Sequence, residues 1–213
     1  MIFKQIKAGG DRNFSYIIAD EQTGEAAVID PGGNPVNEQA ILKDKNLKLK
    51  YIINTHGHYD HTGGNSILAQ VTGAEIAMHE SAGQGQDIGL RDEDVLKLGS
   101  LDLHIIHTPG HTQDSICILA EKEVVTGDTL FVGKVGGTGL GNDARDEYRS
   151  LHEKLIPLPE DTRVWPGHDY GVRPSSTIGE ELRENPFILR NSLEEFVELK
   201  KNWAEYKRKH GIK

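Results

Sequence analysis

Cysteine is almost absent: one residue, Cys117, in a chain of 213. A single thiol closes no intrachain disulfide and supplies no thiolate-rich zinc site. It points to a reducing, cytoplasmic location. No apolar run approaches the roughly 20 residues of a membrane-spanning helix. The opening MIFKQIKAGG has neither an apolar core nor a small-residue cleavage site, so no secretory leader is expected. Basic residues are outnumbered, 24 Lys and Arg against 33 Asp and Glu, for a net charge of −9. A chain that grips phosphates normally carries the opposite sign, so neither nucleic acid nor a membrane is expected as a partner. There is no Ser/Pro-rich linker and no low-complexity block. The length suits one domain over 1–213 that buries its core without covalent staples.

Glycine, by contrast, is plentiful at 24 residues, and it clusters beside histidines and aspartates. That is the composition of loops shaped around a site. Between those loops the pattern is mostly short strands: 2–6, 14–19, 25–29, 49–54, 74–79, then VLKL, LDLHIIHT, SICILA and EVVTG between 95 and 127, and RVW at 163–165. Helices are predicted at 36–45, 65–72, 144–156, 176–184 and 192–209, and the Gly-rich acidic stretch 81–93 reads as loop. Leu193, Phe196, Val197, Leu199/Lys200 and Trp203 form a helical stripe expected to pack on the core. The fold class is α/β, two sheets with helices outside and a helical C-terminal extension over about 175–213.

The strongest chemical signal follows the apolar strand 49–54. Thr55-His56-Gly57-His58-Tyr59-Asp60-His61 places four metal-type donors within six positions. Core packing does not account for them, because buried imidazoles and carboxylates need partners. Four donors are too many for one catalytic zinc, which takes about three protein ligands and keeps a position open. The i, i+2 spacing sets His56 and His58 on one metal and turns Asp60 and His61 toward a second, the pattern of a two-metal site with about 3.5–4 Å between the ions. Each ion then still lacks ligands. His111 (TPGHT), Asp128 (TGDTLF) and His168 (WPGHDY) stand beside glycine at strand ends and are the candidates. His79, His104, His107, His152 and His210 are expected to be packing or surface residues. Imidazole and carboxylate donors without thiolate suit zinc, iron or manganese.

The order HxHxDH, TPGHT, GDTLF and GHDY resembles the metallo-β-lactamase superfamily, in its glyoxalase II-like (hydroxyacylglutathione hydrolase) and persulfide dioxygenase-like branch, over residues 2 to about 190. The resemblance implies a four-layer αββα sandwich. It implies that His56, His58 and His111 bind a first metal, that Asp60, His61 and His168 bind a second, and that Asp128 bridges both. Asp60 and Asp128 are then the carboxylates closest to the chemistry. Asp30 matches an aspartate that props the histidine loop, and also reads as a turn residue opening Asp-Pro-Gly. Tyr170 matches a tyrosine that touches the thiol carrier. The family places a basic residue where this chain has Gly137, which leaves Lys134 as the nearby candidate for gripping the substrate.

Two cations, most simply zinc, lower the pKa of a shared water toward neutrality. A thiol leaving group, of pKa about 8.5, departs without a dedicated general acid. Hydrolysis of a small-molecule thioester is therefore the least demanding reaction for this set. The alternative is a persulfide dioxygenase: SLHEKLIPLPEDTRVWPGHDYG and STIGEELRENP resemble those enzymes. There His56, His111 and Asp128 would hold a single iron and leave positions open for substrate and dioxygen.

Overall fold

The computed structural model describes residues 1–83 and 85–212. Gln84, inside the stretch expected to be loop, and Lys213, at the end of the expected extension, lie outside them. One sheet has six strands in chain order: β1 (Ile2–Gly9), β2 (Asn13–Ala19), β3 (Glu25–Ile29), β4 (Lys48–Ile53), β5 (Glu75–His79) and β6 (Ile88–Leu90). The first three form an antiparallel meander. β3, β4, β5 and β6 then run parallel, with α1 (Val36–Asp44) before β4, and α2 (Tyr59–Thr62) and α3 (Asn65–Thr72) before β5.

The second sheet also has six strands. β7 (Val95–Leu98), β8 (Leu101–His107), β9 (Ile116–Ala120) and β10 (Glu123–Gly127) pair antiparallel in sequence. A small hairpin, β11 (Leu130–Phe131) and β12 (Lys134–Val135), follows, and then α4 (Asn142–Arg149). β13 (Arg163–Pro166) joins parallel to β10, and β14 (Ser176–Thr177) closes the edge. The chain ends in α5 (Ile178–Glu184), α6 (Leu193–Lys201) and α7 (Trp203–His210).

Strand periodicity explains the layering. Side chains alternate across a strand, and in β2 Tyr16 and Ile18 point into the core between the sheets while Ile17 and Ala19 face α1 and α3 with Leu42 and Leu68. In β9, Ile116, Ile118 and Ala120 enter the same central core, whereas Cys117 faces outward with Ala144 and Phe196. Apolar on both faces, the sheets are covered on both, and the result is the four-layer αββα sandwich. Each large aliphatic side chain so buried contributes about 1.5–3 kcal/mol.

Several predicted elements differ in detail. The stretch 81–93 contains β6, a three-residue strand held by pairing with β5. The metal-type loop contains the one-turn helix α2. The helix predicted at 144–156 is α4 followed by a wider π turn, Ser150–Leu155. The helix predicted from 176 starts two residues later, because Ser176 and Thr177 pair with β13; Thr177 then caps α5 through a reciprocal capping box with Glu180. The long tail helix breaks at Asn202, whose side-chain amide donates back to the Glu198 carbonyl at 3.1 Å.

The parallel pairs β3–β4 and β10–β13 deliver Asp30, Thr55–His61, Asp128 and His168 to one edge of the sandwich. That edge is stitched across the sheets: Ile116 N–H donates to the Thr55 carbonyl and Phe14 N–H to the Gly167 carbonyl, each at 2.8 Å.

Candidate metal centre

The histidine loop leaves β4 through Asn54, whose side-chain amide donates to the His61 carbonyl at 2.9 Å and exchanges hydrogen bonds with Asn65. Beneath it lies Asp30, 1% exposed and at a positive φ of 51°. Its carboxylate accepts from Thr55 N–H at 2.7 Å, Thr55 O–H at 2.6 Å and His61 Nδ1–H at 2.9 Å. Asp30 thus sits in the turn and is hydrogen-bonded to the loop at Thr55 and His61.

Seven donors converge above it. Ligand atoms of His56, His58 and His111 lie within 4.8 Å of one another, as do those of His56, His61 and Asp128, and those of Asp60, His61 and His168. Around the first triad, His58 Nδ1 stands 2.9 Å from His56 Nε2 and 3.2 Å from His111 Nε2. Around the last, His61 Nε2 and His168 Nε2 are 3.3 Å apart, and Asp60 Oδ2 is 3.5 Å from His168 Nε2. Asp128 lies between: Oδ2 is 3.6 Å from His111 Nε2 and 3.3 Å from His168 Nε2, and Oδ1 is 3.4 Å from His61 Nε2. The sandwich closes tightly around this carboxylate. A Cβ on Gly167 would lie 2.3 Å from Asp128 Oδ1, and one on Gly136 2.1 Å from the Asp128 carbonyl oxygen.

The outer ring nitrogens decide what faces inward. His111 Nδ1–H donates to the Gly137 carbonyl and His168 Nδ1–H to the Asp11 carbonyl, each at 2.8 Å; a carbonyl only accepts. His61 donates to Asp30. His56 Nδ1 stands 3.1 Å from Thr55 Oγ1, a hydroxyl that has already given its proton to Asp30, so His56 donates as well. With Nδ1 as donor, the Nε2 of each of these four rings is free to present a lone pair to the centre. Asp128 Oδ1 is buried there without a hydrogen-bond partner. A convergent set of acceptors, buried at His56, His61, Asp128 and His168 and open toward solvent at His58 and Asp60, can hold a cation, and imidazole with carboxylate suits a divalent transition metal.

The charges agree. Burial opposes a charge on His61, but Asp30, Asp128 and Asp60 overcome it and lift the ring to about 9. His168 rises against its burial through Asp128. Burial and the neighbouring His61 push His56 well below the usual imidazole range, and burial lowers His111. Asp128, despite burial, is held well below the usual carboxylate range by His168, His61 and His56.

Beside the metal-type donors opens a cavity of about 620 Å³, lined among others by Arg12, Lys134, Tyr170, Trp203 and Lys207. Tyr170 stacks on His168 with 4.7 Å between ring centres and donates its O–H to Asp11 Oδ2 at 2.6 Å. The Arg12 guanidinium lies over the Tyr170 ring at 4.6 Å. Lys134 Nζ donates to the Tyr170 carbonyl at 2.7 Å, and burial together with the charges of Lys207 and Arg12 lowers its pKa. Every expected site residue therefore stands at one edge. Sequence reasoning missed Asp11, Asn13, Arg12 and Lys207. Asn13 Nδ2 donates to Asp60 Oδ2 at 2.9 Å. The signal for the first three was the polar GGDRN turn between two strands; Lys207 stands in the last turn of α7, where a basic residue complements the helix dipole, and it also lines the cavity. His79 and His107, outside the centre, stack on each other at 3.9 Å.

Known proteins resemble this chain in sequence and in fold. The family model for the metallo-beta-lactamase superfamily matches residues 8–168. A hydroxyacylglutathione hydrolase from Polaromonas sp. is 40% identical over 178 residues, 80% of this chain and 67% of that protein. The mitochondrial persulfide dioxygenase ETHE1 of Homo sapiens is 33% identical over 194 residues, 89% of this chain and 76% of that one. The crystal structure of ETHE1 from Myxococcus xanthus superposes with a TM-score of 0.89 at 35% identity, covering 95% of this chain and 91% of that one. No described helix is long and apolar enough to cross a membrane. The chain belongs to the metallo-β-lactamase superfamily, a family of metal-binding enzymes.

Proposed function

We propose that this chain is a metal-dependent thioester hydrolase of the hydroxyacylglutathione hydrolase type. One observation carries the reading: the second triad, Asp60, His61 and His168, is complete and as firmly oriented as the first. In this reading His56, His58 and His111 hold one divalent ion, Asp60, His61 and His168 hold another, and Asp128 reaches both. The proposed metal is zinc, and the donors also accept iron or manganese. Bound there, the pair of ions supplies Lewis acidity toward a carbonyl and a water made acidic near neutral pH.

The chain's own residues do the rest. Asp30, Gly137 and Asp11 hold the His61, His111 and His168 rings in orientation before any ion arrives. Tyr170 and Lys134 form the wall of the neighbouring cavity, and Arg12 and Lys207 bring further positive charge to it. A thiol carrier with carboxylates, such as glutathione, matches that lining. Its thiolate leaves without an acid, which agrees with the absence of a further acid from the seven-residue set. The missing basic residue at Gly137 is thus offset by cations arriving from other elements.

The second reading, a mononuclear iron persulfide dioxygenase through His56, His111 and Asp128, is favoured by the similarity to ETHE1 over most of the chain. Metal analysis with two assays separates them. The hydrolase reading expects near two metals per chain and cleavage of S-lactoylglutathione. One iron per chain with oxygen uptake driven by glutathione persulfide, and no thioester cleavage, would overturn it.

A further inference from the structure

Glu147 of α4 is fully buried, Lys200 of α6 is 7% exposed at its side chain, and their charges meet at 2.5 Å. The pair sits in the apolar layer outside the second sheet, with the Lys200 ammonium 5.3 Å from the Phe196 ring and 5.9 Å from that of Phe187. Burial pushes Glu147 up to about 7 against the pull of Lys200. An apolar pair of similar volume commonly matches or exceeds a buried ion pair in stability, so packing alone does not account for two charges here.

What an apolar pair cannot do is donate. Lys200 Nζ donates to the Gly136 carbonyl at 2.7 Å. The next carbonyl, that of Gly137, is the acceptor of His111 Nδ1–H. Gly136 is wedged against the centre itself, since a Cβ there would lie 3.0 Å from His111 Cβ. Glu147 meanwhile supports the opposite approach to His111. A Cβ on Gly110 would lie 2.4 Å from Glu147 Cβ, and one turn on, Ser150 Oγ donates to the Pro109 carbonyl at 2.7 Å. Segment 136–137 is thus held by the Lys200 ammonium that Glu147 faces, and segment 109–111 rests on α4 beside Glu147.

We propose that Glu147 and Lys200 form a positioning pair that sets the 136–137 carbonyls and, through them, the aim of His111 Nε2. The proposal rests on the metal-binding reading above, but its test reads zinc affinity rather than turnover. Zinc is titrated against a competing chelator in the wild type, E147M/K200M and K200R, with thermal unfolding recorded for each. Outer partners of ligand histidines are worth about 10–100-fold in metal affinity. The expected result is a loss of about 10-fold or more for one of two zinc ions in E147M/K200M, without a fall in unfolding temperature, and recovery in K200R, which keeps a donor for Gly136. If the methionine pair does not fold, E147Q/K200M, which likewise leaves no side-chain donor for Gly136, carries the same comparison. Two zinc ions bound at wild-type affinity by a folded variant lacking both charges would overturn the positioning pair alone. A wild-type chain that binds no zinc would overturn the metal-binding reading and the pair with it.

Discussion

His61 and Asp30, 31 residues apart in the chain, are joined Nδ1 to Oδ2 at 2.9 Å in a place where each is 1% exposed. The same carboxylate takes both donors of Thr55, so one buried anion sets the histidine loop and orients one of its rings.

Asp30→Asn should therefore act on metal binding more than on the surface of the site. An amide keeps one acceptor oxygen, and its NH2 group must face a donor that expects an acceptor. Hydrogen bonds to a charged group are worth about 1.5–3 kcal/mol each, so both unfolding temperature and zinc retention should fall, the latter by about 10–100-fold. Zinc content after dialysis against a chelator reads the effect. A variant that keeps its full complement of zinc would show that the loop is held by other contacts.

Asp128→Asn and His168→Ala should separate the two triads. Asp128 touches His111 on one side and His61 and His168 on the other, so its loss should lower the content of both metals. Of the other six donors, His168 meets Asp60, His61 and Asp128, and its loss should bring the content down by about one ion per chain. Unchanged metal content and activity in His168→Ala would leave the second site without support.

The candidate ligands were legible because imidazoles and carboxylates crowded into one loop and beside glycines at strand ends have no explanation in packing. Two sheets with helices outside were legible in the order of short strands and helices, and the four-layer sandwich in the resemblance carried by HxHxDH, TPGHT, GDTLF and GHDY. What supports the ligands was not. Asp11 reaches His168 across 157 residues of chain, and its contribution is a backbone carbonyl, which every residue possesses. Arg12 reads as a turn residue and Lys207 as a helix-terminal charge until the ends of the chain are brought together at Tyr170. Lys200 falls at a helical spacing that suits an apolar stripe, and spacing says nothing of a buried carboxylate on another helix. β6 has no alternation to betray it; pairing with β5 makes it a strand.

Arg12 and Lys207 should matter for the carrier and little for the chemistry. Arg12 is 63% exposed at its side chain, so its charge is screened by salt. For Arg12→Ala and Lys207→Ala together, KM for a glutathione thioester should rise about 5–10-fold at low salt, the order expected for one exposed and one half-buried charge of up to about 1 kcal/mol each, with kcat held within about twofold. The difference should shrink at high ionic strength. Arg12→Lys should recover only part of the effect, because an ammonium does not stack on Tyr170 as a planar guanidinium does. An equal fall in kcat would place these residues in the chemistry instead.

Asp20 offers a test of the fold away from the metal centre. It closes the turn between β2 and β3 and reaches the turn between β7 and β8, so it clasps one sheet to the other. Its carboxylate accepts from Ser100 N–H at 2.7 Å, Gln22 N–H at 3.0 Å and Thr23 O–H at 3.0 Å. The backbone donors of Ser100 and Gln22 hold its pKa at about 2 rather than the ordinary 3.8. A carboxylate whose folded pKa lies below its unfolded value adds stability that is complete above the unfolded value and disappears as pH falls through the folded one. Asp20→Asn should therefore be less stable than the wild type at pH 5 and above. The two should converge between about pH 4 and pH 2, the window set by these values. Denaturant unfolding across that range, with chelator present so that metal release does not intrude, measures the gap. A gap that persists undiminished at pH 2 would mean that Asp20 acts through its shape and not through its charge.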